Sequence, residues 1–498
     1  MSSGTKAKHA AVAGLLADRR WKEAEARSVE LLRSNRLDAQ AWVSLAEALL
    51  HQGYGAAARR CFRRAWLLDP QAYWADDLER MAAKAHAGDE RYDIEGLLRV
   101  PQATVSAVIV AKNEEATIGK CLESLQGAVD RILFFDNGST DGTLAIASAF
   151  PNVEIRHLEW NGGFGALRNE ALAFVETDWV LWLDADEWLH EDDAEAVKEA
   201  AGCYQTLGRP VVLNVWHLNY VDGQVNHDIS QGRMFTARYG LRYYGRIHEQ
   251  VGTADGGIFD SLPYRSAVRI RYHHVGYEPI VVQSKAKIER NRNLLLRMVA
   301  EEPENPGWWY FLGRETLAAN RFEEGYDALR RAEALAAAQP GFGRMVDVYK
   351  LMLYATDRLG DAAETDRVYE AMRRHDPEHP DVLLLWAERE RREAQRLLER
   401  ASRHLASAKR GFETYRGIAH ADRSIWRWRA DAAEAEIAMH AGKLAEAKDA
   451  FDRARRAGMP KRAGGQGDRL ADQVAKLLRP ERPPERARER TGGERDGT

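Results

Sequence analysis

Cysteine is scarce in this sequence, and the placement of the few cysteines excludes two classes of protein. The 498 residues contain three, Cys61, Cys121 and Cys203, far apart along the chain. None stands at the short spacing that zinc ligands share, and three cysteines cannot build the disulfide framework of a small secreted domain. The pattern predicts a reducing, cytoplasmic location, with the cysteines packing in the interior rather than reacting.

Long apolar runs and an excess of charge of one sign are missing as well. No apolar stretch approaches the ~20 residues that cross a bilayer, and the short apolar segment at 10–17 is followed at once by Asp18, Arg19 and Arg20. The formal net charge is -4, which gives no general attraction to nucleic acid. We therefore expect a soluble protein with no transmembrane segment, no signal peptide and no nucleic-acid partner.

Internal repetition is present at both ends of the chain. A pattern with a period of about 34 residues, typical of tetratricopeptide repeats, is clearest at Trp42, Leu45, Ala46, Leu49, Ala58, Phe62, Ala65 and Pro70. Each copy is a helix pair that buries its apolar face only by stacking on the next, so we predict helical repeats over 1–85 and 306–460. Such a stack serves as a spacer, as an element that assembles a homo-oligomer, or as a docking groove, and the sequence leaves these alternatives open.

The remaining segments follow from composition, in a chain too long for a single core. We expect a linker over 86–103, an α/β domain over 104–278 and a connecting helix over 279–305. The terminal segment, 461–498, is dominated by Pro, Arg, Glu and Gly from residue 479 onward. A composition of this kind cannot bury enough apolar surface to fold, so we predict a disordered tail.

In the middle segment, strand and helix patterns alternate. Apolar and β-branched runs predict strands with helices between them. The strands are expected at Val105–Ala111, Arg131–Asp136, Val153–His157 and Trp179–Leu183. Crossovers of this length make the strands parallel, so their carboxyl ends meet at one edge of the sheet. Three loops, at 112–115, 136–141 and 184–187, therefore lie together.

The run Trp179–Glu187, WVLWLDADE, ends in two aspartates one residue apart. A continuous apolar run is typical of a strand buried on both faces, and open α/β sheets bind ligands at the carboxyl end of such strands. At strand spacing Asp184 and Asp186 point the same way and offer hard oxygen ligands for Mg²⁺ or Mn²⁺, which in turn holds a diphosphate. The alternative is that one aspartate caps the following helix, although Asp192 and Asp193 are better placed for that.

Four sequence blocks carry a resemblance to a known family. In order they read VSAVIVAKNEEATIGKCLESL, FFDNGSTDGT, LRNEAL and WVLWLDADE, and they resemble family 2 glycosyltransferases with the GT-A fold. The resemblance covers about 104–277 and implies an α/β, Rossmann-like domain that uses a nucleotide-sugar donor, a UDP-sugar being favoured. With its repeats, the chain also resembles peptide S-glycosyltransferases that modify bacteriocins and lipopolysaccharide-core glycosyltransferases. The QxxRW signature of processive synthases is missing.

The resemblance implies a role at the nucleotide for several polar residues. Glu114 of KNEE is expected near the nucleotide, Asp136 against the base or ribose, and Asp141 facing a uridine-type moiety. The alternative for both aspartates is local turn chemistry, since Asp stabilises such loops without any ligand. Arg168 of LRNEAL is expected either to meet a phosphate or to pair in the surroundings of Glu170.

The resemblance also implies the metal site. Asp186 is expected to bind the metal directly and Asp184 to approach both the metal and the ribose, with a histidine of RYHHVGY as a third ligand. Strand alternation lets only one of His273 and His274 face the site. The HVGY grouping favours His274.

Acceptor chemistry is expected in the segment Arg233–Val251, where the block IHEQV resembles one that recurs in the family. Inverting transfer needs a base that takes the proton of the acceptor, and Glu249 is the candidate, with Asp222 next. The alternative is that Glu249 forms a structural ion pair with Arg246 or Arg233.

Lys287 and Arg290 stand three residues apart on a predicted helix, where both are able to face a diphosphate and stabilise the leaving group. Their alternative is a solvated basic helix face. Together the residues predict an inverting glycosyltransferase that acts on a peptide, protein or glycan acceptor docked with help from the repeats. The alternatives are a lipopolysaccharide or cell-surface glycan transferase, or a non-catalytic repeat scaffold with a degenerate GT-A domain.

Overall fold

The computed structural model describes residues 3–221, 223–275, 281–419 and 421–460. The terminal segment 461–498, with its predicted tail, and Asp222 lie outside the described residues. The chain divides into two compact units, Met1–Val368 and Tyr369–Thr498. Every strand among the described residues belongs to the first unit.

The N-terminal region is helical. Its helices are α1 Ser3–Ala17, α2 Trp21–Ser34, α3 Ala39–His51, α4 Gly55–Leu68, α5 Ala75–Lys84 and α6 Tyr92–Leu98. Helix α3 begins after Asp38, whose carboxylate accepts a hydrogen bond from the Ala41 N–H at 3.0 Å. The helix buries Trp42, Leu45 and Leu49, at the spacing that places helical residues on one face.

A mixed sheet follows the N-terminal helices. Its strands and the pair beside it are β1 Val105–Ala111, β2 Arg131–Asp136, β3 Val153–His157, β4 Trp179–Asp184, β5 Glu187–Leu189, β6 Val211–Val221, β7 Gln224–Asp228, β8 Gly232–Thr236, β9 Arg242–Tyr244, β10 Gln250–Gly252 and β11 Tyr264–His274. The helices between them are α7 Ile118–Ser124, α8 Thr143–Ser148, α9 Phe164–Leu172 and α10 Ala194–Tyr204. The sheet has the order β3-β2-β1-β4-β8-β6-β11-β5, with β7 paired to β6, while β9 and β10 pair separately.

The register of the parallel strands aligns their carboxyl ends. Ala111 of β1 lies opposite Asp136 of β2, and Val110 lies opposite Asp184 of β4. The edge predicted from the sequence is therefore confirmed for β1, β2 and β4. Strand β8 runs antiparallel to β4 on its other side and brings the segment at 232–236 to the same sheet.

Asp186 does not belong to a strand. Strand β4 ends at Asp184, and the chain turns through Ala185 and Asp186 before β5 begins at Glu187. The expectation that strand alternation points the two aspartates the same way is therefore wrong, because alternation applies only within an extended segment. The turn instead gives the two carboxylates different partners.

The N-terminal helices share a core with the sheet. One apolar core joins Trp42 of α3 to Phe134 of β2. At its edge the buried guanidinium of Arg64, on α4, donates a hydrogen bond at 2.5 Å to Glu199 of α10. The helices are therefore part of the fold of the first unit rather than an appended arm.

Further helices follow the sheet in the first unit. They are α11 Val281–Glu301, α12 Pro306–Ala318, α13 Phe322–Ala336, α14 Met345–Leu359 and α15 Ala362–His375, the last of which continues into the second unit. Helix α12 begins after Asn305, whose side chain accepts a hydrogen bond from the Gly307 N–H at 3.0 Å, with Pro306 in the first turn. Helix α13 packs closely on α12, since a Cβ at Gly313 would lie 2.6 Å from Leu329.

The second unit is helical throughout its described part. After the end of α15 it contains α16 Pro380–Thr414, α17 Arg423–His440 and α18 Leu444–Arg456. Ala435, Ala447 and Phe451 form a small core between the last two helices. Of all the helices described in either unit, none has the length and apolar character needed to cross a membrane.

Candidate active site

Two loops at the carboxyl edge of the sheet are tied to each other. The loop after β1 contains Asn113, whose backbone is left-handed with φ of 59°, a conformation that Asn tolerates better than most residues. The side-chain oxygen of Asn113 accepts a hydrogen bond from the Thr140 N–H at 2.8 Å, and its own N–H donates to Ser139 Oγ at 3.0 Å. The loops after β1 and β2 therefore form a single rim.

Both aspartates of the second loop make local contacts. Asp136, buried at the end of β2, accepts hydrogen bonds from the N–H groups of Gly138 at 3.0 Å and Ser139 at 3.2 Å. Asp141 accepts from the N–H and the hydroxyl of Thr143 at 3.0 Å and 2.6 Å, at the start of α8. These contacts shape the loop, and a role at a nucleotide stays a prediction for both residues.

Glu114 lies on the same rim, close to the carboxylates of Asp186, Asp141 and Asp184. Its backbone N–H donates to Thr143 Oγ1 at 2.8 Å, which joins it to the second loop. Burial raises the pKa of the Glu114 carboxyl, and the negative charge of nearby Asp186 raises it further. Glu114 is thus close to the acidic turn, while its contact with a nucleotide stays a prediction.

Two arginines hold Asp184 at the end of β4. Arg168 of α9 donates to Oδ1 at 2.8 Å, and Arg233 of β8 donates to Oδ2 at 2.6 Å. Burial opposes ionisation, but the charges of Arg233 and Arg168 outweigh it and hold the pKa of Asp184 well below its usual range. Both carboxylate oxygens are thereby engaged, and the roles of Asp184 toward a metal and a ribose stay predictions.

Asp186, in the turn, faces a histidine. His274 Nε2 lies 3.3 Å from Asp186 Oδ2, and His274 Nδ1 lies 2.8 Å from Asn219 Oδ1. Burial disfavours the charged imidazole, but the hydrogen bond and charge of Asp186 raise the pKa of His274 above its usual value. His273 points to the other side, with Nδ1 2.8 Å from the Tyr220 hydroxyl. Of the two histidines, His274 is the one beside Asp186.

The pair Asp186 and His274 fits a divalent metal in part. Neighbouring octahedral ligands bonded at about 2.1 Å lie about 3 Å apart, close to the 3.3 Å between these two atoms. Across the residues that the structure describes, no group of three or more His, Cys, Asp or Glu side chains forms a complete metal site. Because Mg²⁺ commonly takes one or two carboxylates and completes its shell with substrate phosphates and water, the pair suits a metal that arrives with a diphosphate. Mg²⁺ or Mn²⁺ here stays a prediction.

Glu249 lies in the loop between β9 and β10. Its Oε1 is 3.6 Å from Arg168 Nε, and the two side chains are 12% and 10% exposed. Arg246, a partner considered from the sequence, pairs instead with Glu301 of α11. Arg168 therefore links Glu249 to Asp184, and the role of Glu249 as a base stays a prediction.

Lys287 and Arg290 lie on an exposed part of α11. The Arg290 guanidinium is 5.7 Å from the centre of the Phe164 ring, at the start of α9. It also donates to Asn291 Oδ1 at 3.0 Å. The structure brings Arg290 to the helix that carries Arg168. The role of Lys287 and Arg290 at a diphosphate stays a prediction.

Comparison with known protein families identifies the kind of domain that carries this site. Residues 106–255 match the model of glycosyl transferase family 2. The chain carries a family 2 glycosyltransferase domain. The resemblance drawn from the four sequence blocks is thereby confirmed, as is the expected GT-A sheet with helical regions on either side of this glycosyltransferase domain.

Curated glycosyltransferases are among the relatives that match part of this chain. The SPbeta prophage-derived glycosyltransferase SunS of Bacillus subtilis is 30% identical over 231 residues, which are 46% of this chain and 53% of that protein. A TPR repeat-containing protein of Synechococcus elongatus is 30% identical over 217 residues, 42% of this chain and 51% of that protein. The lipopolysaccharide core biosynthesis glycosyltransferase LpsC of Rhizobium meliloti is 34% identical over 104 residues, 20% and 38%. The chain thus spans about half the length of the first two relatives.

Solved structures also match part of this chain. The S. aureus protein TarS matches 54% of this chain and 55% of its own, at 16% identity and a TM-score of 0.33. A TarS fragment, 1–349, in complex with UDP-GlcNAc matches 55% of this chain and 92% of its own, at 18% identity and a TM-score of 0.31.

The sequence did not predict the buried ionisable residues that lie next to Asp184 in the glycosyltransferase site. Glu187 Oε2 accepts a hydrogen bond from the Asp184 N–H at 2.9 Å, and Glu187 Oε1 lies 3.1 Å from His217 Nε2. Arg233, considered as a partner of Glu249, pairs instead with Asp184 and Glu187. The last letter of WVLWLDADE was an available signal, because a glutamate that follows a buried strand needs a partner. The sequence around His217 carried no comparable signal.

Proposed function

We propose that residues 104–278 act as an inverting glycosyltransferase, which moves a sugar from a nucleotide-sugar donor, with a UDP-sugar favoured, to a peptide, protein or glycan acceptor. The helical regions 1–85 and 306–460 flank this domain, and 86–103 and 279–305 connect them. SunS and LpsC, both named glycosyltransferases, support the class of reaction. The three cysteines, free and largely buried, suit a reducing compartment, and we place the reaction in the cytoplasm.

The position of Arg168 carries this proposal. Its Nη2 lies 2.8 Å from Asp184 Oδ1, and its Nε lies 3.6 Å from Glu249 Oε1. It therefore joins the acidic end of β4, where the donor diphosphate is expected, to a glutamate in the acceptor-side loop. Displacement at an anomeric carbon requires such a base close to the bound donor.

In the proposed reaction Glu249 takes the proton from a hydroxyl or thiol of the acceptor. The acceptor oxygen or sulfur then bonds to the anomeric carbon on the face opposite the nucleotide. The bond between that carbon and the diphosphate oxygen breaks, and the nucleoside diphosphate leaves with the electron pair. Asp186 and His274 would hold the divalent metal, which when bound supplies positive charge to the diphosphate oxygens.

A cavity lined by Gly245 and Arg246, in the loop that carries Glu249, offers space for part of the acceptor. It has a volume of about 400 Å³. Its walls come from the glycosyltransferase domain, including Gly165, Arg242 and Tyr244, and from α11 and α12, including Met298 and Trp308. An acceptor in this cavity would contact both parts of the first unit. Assembly of a homo-oligomer through the repeats stays a prediction.

Release of nucleoside diphosphate from a panel of nucleotide sugars tests the proposal. With Mg²⁺ or Mn²⁺ present, the full-length protein should release UDP from a UDP-sugar, and Asp186→Ala should lower this rate at least about 10-fold at saturating metal, because the metal and diphosphate lose a ligand. Release of pyrophosphate instead would indicate nucleotidyl transfer. A folded protein that turns over no donor would favour the scaffold alternative.

The similarity to LpsC favours a second class of acceptor, a lipopolysaccharide or cell-surface glycan. Donor hydrolysis does not separate this class from peptides, because water replaces the acceptor in that assay. Mass spectrometry of cell extracts incubated with the best donor distinguishes them: a mass increase of one sugar on a peptide or protein indicates the first class, and on a glycan the second.

A further inference from the structure

The residue before Glu249 has an unusual backbone. His248 adopts the left-handed conformation, with φ of 51°. A residue other than glycine in this region is strained and persists only where its surroundings hold it. Because this turn sets the direction in which Glu249 leaves the chain, whatever holds His248 also aims the candidate base.

Helix α12 supplies the contacts that hold His248. The Nε2 atom of His248 lies 2.9 Å from Glu315 Oε1, and the imidazole stacks on the Phe311 ring with centroids 4.7 Å apart. The Arg314 guanidinium lies 3.0 Å from His248 Nε2, 3.2 Å from His248 Nδ1 and 3.2 Å from Glu315 Oε1. All three partners lie beyond residue 255, where the family match ends.

The contact with Glu315 constrains the protonation of His248. An ionised carboxylate only accepts hydrogen bonds, so a hydrogen bond with Glu315 requires a hydrogen on His248 Nε2. Burial lowers the pKa of His248, although the hydrogen bond with Glu315 raises it. The Glu315 side chain is only 11% exposed, which limits competition from water.

The rest of the loop is held by neighbouring elements. The Gly165 N–H, in α9, donates to the Gly245 carbonyl at 3.2 Å. Helix α11 contacts Arg246 of the loop. The Arg246 N–H lies 3.3 Å from the Met298 sulfur, and the Arg246 guanidinium pairs with Glu301 at 2.6 Å. The left-handed turn at His248 is thus held by α12.

We propose that Glu315 is a positioning residue of the glycosyltransferase site: by holding the His248 imidazole it fixes the left-handed turn that aims Glu249 at Arg168. The inference rests on the proposed role of Glu249 as the base. The helical region that follows the glycosyltransferase domain would then contribute a residue that positions the base. Glu315 itself touches neither the donor nor the acceptor.

The first test is Glu315→Gln in the full-length protein. The turnover number for hydrolysis of the best nucleotide sugar should fall about 10-fold, while the Kd for UDP stays within about twofold, because the nucleotide site lies on other loops. The matched control is Glu333→Gln, another largely buried glutamate, which pairs with Arg367 of α15 at 3.0 Å rather than with the loop. It should keep wild-type turnover. An equal loss of turnover in the control, or a parallel loss of UDP affinity, overturns the proposal.

A double-mutant cycle tests whether Glu315 acts through Glu249. If it does, Glu315→Gln adds no further loss in the Glu249→Gln background, because two residues that act as a unit are not additive. The same fold-loss in both backgrounds overturns the inference. If Glu249→Gln is slow but Glu315→Gln has wild-type turnover, the inference fails while the proposed function stands. If Glu249→Gln has wild-type turnover, the proposed base is wrong and the inference falls with it.

A second variant covers the case in which Glu315→Gln does not fold. His248→Gly keeps the left-handed turn accessible, because glycine adopts positive φ without strain, but it removes the imidazole. A folded His248→Gly protein should lose turnover about as much as Glu315→Gln while binding UDP normally. Wild-type turnover of this variant overturns the proposal.

Discussion

Glu315 shows how the fold sets the charge of one side chain. Burial opposes ionisation of the Glu315 carboxyl, but the hydrogen bond and charge of His248 and the charge of Arg314 outweigh it and lower its pKa from 4.5 to about 2. A carboxyl whose pKa is lower in the folded state stabilises the fold above its unfolded pKa. This contribution is lost as the pH falls through the folded pKa.

We therefore expect the stability difference between the wild type and Glu315→Gln to depend on pH. It should be largest above about pH 5, up to about 3 kcal/mol at about 1.4 kcal/mol per pKa unit, and should shrink as the pH falls from about 4.5 to about 2. Urea unfolding of both proteins across this window measures the difference. A difference that does not change with pH would contradict the assignment of the stabilising charge to Glu315.

The partners of Asp184 illustrate what residue patterns do not reveal. Its position at the end of a buried strand was predictable, because an apolar run followed by acidic residues is a local signal. Arg168 and Arg233 stand 16 residues before it and 49 residues after it. Their convergence depends on the order of β4 and β8 in the sheet, which no single stretch of sequence encodes.

At the level of elements, the start of α9 and the loop after β9 approach closely enough to require glycine. A Cβ added at Gly165 would lie 2.3 Å from the Gly245 carbonyl oxygen and 3.6 Å from Glu249 Cγ. Any side chain at this position must push the helix and the loop apart. The same helix carries Arg168, so such a shift would change the distance from Arg168 to Glu249.

Gly165→Ala should therefore lower donor turnover about 10-fold and the free energy of unfolding by about 1–3 kcal/mol, the usual cost of overpacking. Gly119→Ala in α7 is the matched control, because its added Cβ would meet Ile146 at an ordinary 3.4 Å. Steady-state kinetics and urea unfolding measure both effects. The account of the loop is wrong if the two variants behave alike.

Elements with a continuous local signal were predictable, and those formed by tertiary pairing were not. Strands β1, β2 and β3 have the predicted bounds. Strands β1 and β2 are largely buried and carry apolar runs, whereas β3 is an edge strand in which apolar and polar residues alternate. Strand β5 is three residues long and exists through its pairing with β11, where Leu189 lies opposite Tyr272. That pairing places a turn at Asp186, which the sequence had suggested was extended.

For the whole molecule, the division into two units changes how the repeats are understood. The sequence left a spacer, an assembly element and a docking groove open. In the structure, α12 and α13 belong to the first unit, and α12 contacts the loop that carries Glu249. Part of the C-terminal helical region therefore contacts the loop that carries the proposed base.

Two truncations separate these parts of the molecule. A chain of residues 1–376 keeps the first unit with all of α15 and should hydrolyse donor within about threefold of the full-length rate, since the site lies wholly in that unit. A chain of residues 1–304 loses α12 and should be at least about 10-fold slower. Circular dichroism establishes that each is folded. A folded 1–304 chain with full turnover would show that α12 is dispensable for the site.

The proposed role of Glu249 as the base is tested by the effect of Glu249→Gln on turnover and on nucleotide binding, measured in the same preparation. Glutamine keeps the shape of glutamate but cannot take the proton of the acceptor. If Glu249 is the base, turnover should fall about 100-fold or more, while the Kd for UDP changes by less than about twofold. Wild-type turnover, or a loss of UDP affinity that matches the loss of turnover, would contradict it.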